Sequence, residues 1–209
     1  MNEDRELLLK DDRSVAEALQ FAGLRVTSVY DLVNTASPYP EAIPILFRML
    51  HEVRHPRIKE GILRALSVKE ATPLGPDLIR MFRETTANDR PSQSLKWVLG
   101  NTISVIADES MMSDVIELIE NPEHGGARFM LPRALAKAKR QDRDRAVEVL
   151  LKSLSEDELV PEGSAALAKL KATDAIAPLS RLVTHPNPDI RKAVTRALKR
   201  LKASKASEK

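Results

Sequence analysis

A two-helix unit recurs about five times along the 209-residue chain, and this recurrence limits the fold more than any other feature. The last copy, AIAPLSRLVTHPNPDIRKAVTRALKRL, runs from Ala175 to Leu201, and an earlier one, EAIPILFRMLHEVRHPRIKEGILRALSVK, from Glu41 to Lys69. The two agree at nearly every apolar position. Both carry an interior proline (Pro44, Pro178) and a His-Pro turn (His55-Pro56, His185-Pro186). Each copy reads as an Ala-Ile-x-x-Leu helix, a short polar turn and a second helix centred on an Ala-Leu pair. Such a unit has an apolar face that it cannot bury alone, so the units must stack. The expected fold is an all-α solenoid, whose ridged surface suits binding more than chemistry.

The first helices align on Pro44-Ile45-Leu46, Asp77-Leu78-Ile79, Val115-Ile116-Glu117, Val147-Glu148-Val149 and Pro178-Leu179. The second helices align on Arg64-Ala65-Leu66, Asn101-Thr102-Ile103, Arg133-Ala134-Leu135, Ala165-Ala166-Leu167 and Arg196-Ala197-Leu198. The spacing of roughly 30 to 38 residues is that of two-helix solenoids, and the variation falls in the turns. At the second-helix positions a small residue permits close approach and a large one fills the space between helices. Prolines within helices read as kinks that curve the units. Residues 1–37 lie outside the repeat and read as an N-terminal helical cap, with repeats over 38–203 in one continuous domain. Residues 204–209, with no apolar residue beyond alanine, read as a disordered basic tail.

Composition agrees with stacked helices. Aromatics make up 3% of a chain that is 43% hydrophobic, so Leu, Ile, Val and Ala must fill the core. There is no Cys, which excludes disulfides, thiolate metal sites and a Cys nucleophile. No apolar stretch approaches the roughly 18 residues that span a bilayer. The acidic start MNEDRELLLKDDR is unlike a signal peptide, so a cytoplasmic chain is expected.

The Ala-Ile-x-Pro-Leu helix, the Pro-x-Pro-Asp-Ile-Arg turn and the Ala-Leu second helix together resemble HEAT repeats, particularly the short type found in phycobilisome lyases. The match is strongest over 175–201 and 42–68, intermediate over 142–171 and weakest over 74–140. The resemblance implies a right-handed superhelix with second helices on the concave side, and members that serve as scaffolds or adaptors. It also implies that Arg191 is structural, bonding the neighbouring unit.

Charge is unevenly distributed. Residues 1–41 carry 4 basic and 8 acidic residues (net −4), 85–125 carry 2 and 7 (net −5), and 172–209 carry 9 and 3 (net +6). Second helices are the richer in Lys and Arg, among them Arg128, Lys137 and Lys139. If they line the concave side, as the resemblance implies, that groove is electropositive and attracts an anionic partner. In the last repeat Ile190, Val194, Ala197, Leu198 and Leu201 share one side of the helix, leaving Lys192, Thr195, Arg196 and Lys199 opposite. Arg64, Asn101, Arg133 and Arg196 then form a ladder at one outward position. The position of Lys192 is taken by Trp97 in the second unit and Phe129 in the third. Trp97, the only tryptophan, beside Lys96, Phe129 and Arg133, is a candidate hot spot. The candidate partner-binding residues are therefore Arg64, Lys96, Trp97, Asn101, Phe129, Arg133, Lys192, Arg196 and Lys199.

Catalytic signatures are missing: there is no phosphate-binding Gly loop, no Gly-x-Ser-x-Gly and no His-Glu-x-x-His. The four histidines (His51, His55, His124, His185) do not cluster, so neither a metal nor another cofactor is expected. The favoured function is a non-catalytic scaffold holding an acidic protein or peptide. Binding of nucleic acid is the first alternative; the alkylpurine DNA glycosylases also use HEAT-like stacks, but bring several aromatics to a basic cleft. A chromophore-lyase subunit is the other.

Overall fold

Helices make up the fold, and no strand occurs among residues 3–207, which are those described by this computed structural model. The chain divides into two compact units, Met1–Ile106 and Ala107–Lys209, where the sequence suggested one continuous domain.

The first unit contains α1 (Glu3–Phe21), α2 (Tyr30–Val33), α3 (Ala42–Glu52), α4 (Pro56–Ala65), α5 (Gly75–Glu84) and α6 (Arg90–Ile106). Helix α4 is its hub, packing on α1, α2, α3 and α6, while α6 also packs on α5. Leu19, Leu46, Leu50, Ile58, Ile62, Leu66, Leu78, Phe82, Leu99 and Ile103 are fully buried. Each such side chain contributes about 1.5–3 kcal/mol relative to exposure. Gly61 sets one approach distance: a Cβ there would stand 2.8 Å from Val29 Cγ1, so α2 sits against α4 only because this residue has no side chain.

The second unit contains α7 (Met112–Glu120), α8 (Pro132–Leu135), α9 (Arg140–Ser153), α10 (Val160–Lys169), α11 (Ile176–Arg181) and α12 (Pro188–Ser207). Here α10 is the hub, packing on α8, α9 and α12; α7 packs on α8 and α9, and α11 on α12. Helix α12 continues to Ser207, past residue 204 where the sequence suggested a disordered tail would begin. Residues 208–209 of that tail lie outside the described residues.

The second-helix register holds at side-chain level. Ala65, Thr102, Ala134, Ala166 and Ala197 are all buried, and so are Leu66, Ile103, Leu135, Leu167 and Leu198. The first-helix register needs a one-residue correction. Ala42 and Leu46 are fully buried, as are Ala175 and Leu179, so these pairs correspond. Pro44 then falls two residues after its alanine and Pro178 three, and the two prolines are not equivalent. Nor are the prolines kinks. Pro56, Pro132 and Pro188 open α4, α8 and α12, Pro76, Pro91 and Pro161 are the second residues of α5, α6 and α10, and Pro44 and Pro178 the third of α3 and α11. The first turn has N–H groups with no helical partner, so a residue lacking one is at home there, and these prolines start helices.

The His-Pro turns match down to their hydrogen bonds. His55 Nδ1 accepts from the Arg57 N–H (3.2 Å) with Nε2 3.3 Å from Asp4 Oδ1. His185 Nδ1 accepts from the Asn187 N–H (3.2 Å) with Nε2 3.3 Å from Asp157 Oδ1. Acceptance at Nδ1 leaves the proton on Nε2, facing the carboxylate. Helix α1 ties itself to the first of these turns. Its buried Asp11 accepts from the N–H groups of Arg54 and His55, both at 2.7 Å, and so satisfies the α3–α4 turn from outside.

Candidate partner-binding surface

Several cations that the sequence counts with the second helices, and Arg143 of α9, do not stand free on the surface; they donate to backbone carbonyls, most of them near helix ends. A helix leaves its last carbonyls unbonded and carries partial negative charge there, which a Lys or Arg from an adjacent helix can satisfy. Lys96 of α6 donates from Nζ to the carbonyl of Thr85, the residue that caps α5, at 2.7 Å. Its Nζ also lies 5.2 Å from the centre of the Phe82 ring. Lys137 donates to the Ala107 carbonyl (2.9 Å) and Arg143 to that of Leu170 (3.0 Å). Arg128 donates to the carbonyls of Ile119 (2.8 Å) and Gly125 (3.2 Å) and forms an ion pair with Glu156. Arg191 donates to the carbonyls of His185 and Pro186, both at 2.7 Å, so these bonds close its own turn where the resemblance implied a bond to the neighbouring unit.

In the first unit this divides the four candidates. Lys96 is only 5% exposed and is corrected from a surface contact to a structural residue. Its neighbour Trp97 is 38% exposed, Asn101 is half-buried, and the two stand one helical turn apart on α6. Arg64 is exposed near the end of α4 and lines a notch of about 260 Å³ with the segment between α2 and α3.

In the second unit Phe129 is half-buried and does not lie on a helix as the repeat alignment implied. It follows a 3-10 segment, Pro122–Arg128, and α8 begins only at Pro132. Arg133 is exposed but paired with Glu162 of α10, Nε to Oε2 at 3.3 Å, so it is not a free cation. Lys139 is held by Glu109, whose hydrogen bond and charge raise the pKa of its ammonium. Lys192, Arg196 and Lys199 differ. All three are exposed, they recur at i, i+4 and i+7 along α12, and none makes an ion pair or side-chain hydrogen bond among the described residues. Like charges at i,i+4 repel by roughly 0.2–0.5 kcal/mol, so this stripe is held without local compensation.

The acidic side chains are engaged in the same unequal way. Asp31 accepts from the Thr27 N–H (2.7 Å), the Thr27 hydroxyl (2.9 Å) and the Ser28 N–H (3.2 Å), in that order the reasons its pKa is lowered. Glu120 and Glu148 form a network with Arg145 and Lys152 on α7 and α9, and Lys152 followed by Arg145 lowers the Glu148 pKa. The sequence pattern missed the carbonyl-capping role of Lys96, Arg128, Lys137 and Arg143. A cation within reach of the end of a neighbouring helix is the signal for it, and sequence spacing alone does not show that reach.

Among the described residues no group of three or more His, Cys, Asp or Glu side chains is arranged to hold a metal ion, and no helix is long and apolar enough to cross a membrane. No family model matches the chain, and no curated protein matches it. Among solved structures it is similar to an engineered protein, the subject of a crystal structure from the Northeast Structural Genomics Consortium. The TM-score is 0.49 and the identity 20%, over 97% of this chain and 98% of that one.

Proposed function

We propose that this chain is a non-catalytic cytoplasmic scaffold of the HEAT-repeat type that binds an acidic protein or peptide through the exposed cations of its second helices. The reading takes the molecule as a right-handed solenoid of about five two-helix repeats with α1 and α2 as the N-terminal cap. Within each unit, the contacts of consecutive helices and of successive second helices support it: α3 with α4, α5 with α6 and α4 with α6, then α7 with α8, α9 with α10, and α8 and α12 with α10. The buried small-large pair in all five second helices supports it further.

The observation that carries the functional part is the α12 stripe. Three exposed cations with no counter-ion among the described residues are an electrostatic surface that an acidic segment would complement, and such a surface raises association rates as well as affinity. Arg64 and the half-exposed Trp97 are the contribution of the first unit. The test is titration of a labelled Glu/Asp-rich peptide into the full chain and into the triple variant K192E/R196E/K199E, with helicity followed by circular dichroism. The reading requires binding to fall at least about tenfold with helicity unchanged. Equal binding by both proteins refutes it. Single-stranded DNA of equal charge, in a salt series, separates the nucleic-acid reading, for which log affinity falls steeply and linearly with log salt.

A further inference from the structure

We infer that the notch beside Arg64 is a binding site for a small zwitterion, an α-amino acid with an aliphatic side chain. The notch, about 260 Å³, lies in the first unit between the α2–α3 segment and the end of α4. Its size is near the roughly 300 Å³ lower end of ligand pockets, so it admits a small metabolite and not a large cofactor.

Two charges of opposite sign line it. Arg64 and Glu70 are both exposed, they lie on the two sides of Ser67 in sequence, and neither forms an ion pair or side-chain hydrogen bond among the described residues. A guanidinium and a carboxylate left apart within one concavity present one partner for a carboxylate and another for an ammonium. A purely anionic ligand would meet Glu70, and a purely cationic one Arg64. Only a ligand bearing both charges satisfies both.

The rest of the lining fits that ligand. Leu32, Val33 and Val68 supply apolar wall for an aliphatic side chain. Thr35 and Ser37 supply hydroxyls at the polar part, while the Ser67 hydroxyl is already bonded to the Leu63 carbonyl (3.1 Å) and the Thr102 hydroxyl (3.0 Å). The Tyr39 hydroxyl is unavailable, since it donates to the Ala65 carbonyl at 2.9 Å and fixes the α2–α3 segment onto the end of α4. That bond keeps the notch open before any ligand arrives, which lowers the ordering penalty of binding.

Isothermal titration of the full-length protein tests this with three probes: free leucine, N-acetyl-leucine, which lacks the ammonium, and leucine amide, which lacks the carboxylate. Free leucine should bind, with each blocked form at least about tenfold weaker. R64A should weaken leucine and N-acetyl-leucine but barely alter the already weak leucine amide, and E70Q should do the reverse. Both side chains are exposed, so neither change threatens folding, and circular dichroism confirms it. No heat with leucine at millimolar concentration overturns the inference, as does N-acetyl-leucine binding as well as leucine, which would mark an anion site. Because E70Q removes no cation, it should leave acidic-peptide binding intact. Loss of leucine binding and loss of peptide binding are thereby separable.

Discussion

Lys96 and Lys192 look alike in the sequence, each on a second helix beside or at the position taken as outward, yet they have opposite fates. Lys96 is buried and bonded to the carbonyl of Thr85, the residue that caps α5, whereas Lys192 stands exposed with Arg196 and Lys199 on α12. The same division runs through the second unit. Arg128 and Arg143 bond carbonyls at the ends of α7 and α10, while the α12 cations make no ion pair or side-chain hydrogen bond among the described residues. A basic stretch therefore does not by itself define a basic surface. What decides is whether a helix terminus lies within reach of the side chain, because orphan carbonyls bind a cation more strongly than water replaces it.

The contrast can be broken most forcefully at Arg128. Replacing this nearly buried residue by Ala leaves the Ile119 and Gly125 carbonyls without their donor and removes the Glu156 pair, at about 2–4 kcal/mol, the range for a lost charged hydrogen-bond cluster. Urea denaturation should show the unfolding free energy fall by that amount, through a lower midpoint at unchanged slope. Lys96→Ala should cost somewhat less, about 1–3 kcal/mol, because one carbonyl is left unpaired. Lys96→Met tests the cause: it keeps the stem against Phe82 but not the hydrogen bond, and should recover only part of the loss. Lys192→Ala, Arg196→Ala and Lys199→Ala should each change stability by less than about 0.5 kcal/mol, as ordinary surface substitutions do. A loss comparable to that at Lys96 would erase the distinction.

The smallest effect concerns the acidic counterpart. Asp31 has a lowered folded pKa, held down chiefly by the Thr27 N–H. Its stabilising contribution is therefore fully present above the ordinary value of 3.8 and is lost as pH falls through the lower folded value. Asp31→Asn should remove that part of the acid limb in a plot of unfolding free energy against pH and leave the neutral region with the same slope.

Much of the fold was legible because burial has a period. The Ala65-Leu66 pair and its four counterparts are buried wherever the alignment placed them, since a small and a large apolar residue at that spacing leave a helix few other ways to pack. The prolines were visible but misread: nothing in Pro44 or Pro178 tells whether a helix begins two residues earlier or six. Phe129 was misplaced for a related reason. Pro132 and the Gly125 backbone, at φ +51°, break the third second-helix into a 3-10 segment and a short α8, so helical spacing from Arg133 back to Phe129 does not apply. Lys96 illustrates the limit for the site. Its neighbour Trp97 faces out, and the difference of one residue, about 100° around the helix, is decided by where α5 ends, which the local pattern does not encode.

The most direct measurement is the affinity of a Glu/Asp-rich peptide for the wild-type chain, for K192E/R196E/K199E and for R128A, at one salt concentration and at a temperature where all three are folded. The account predicts at least about a tenfold loss for the α12 triple and wild-type affinity for R128A, since Arg128 supports the fold and not the surface. Wild-type affinity in the α12 triple, or an equal loss in R128A, would contradict it.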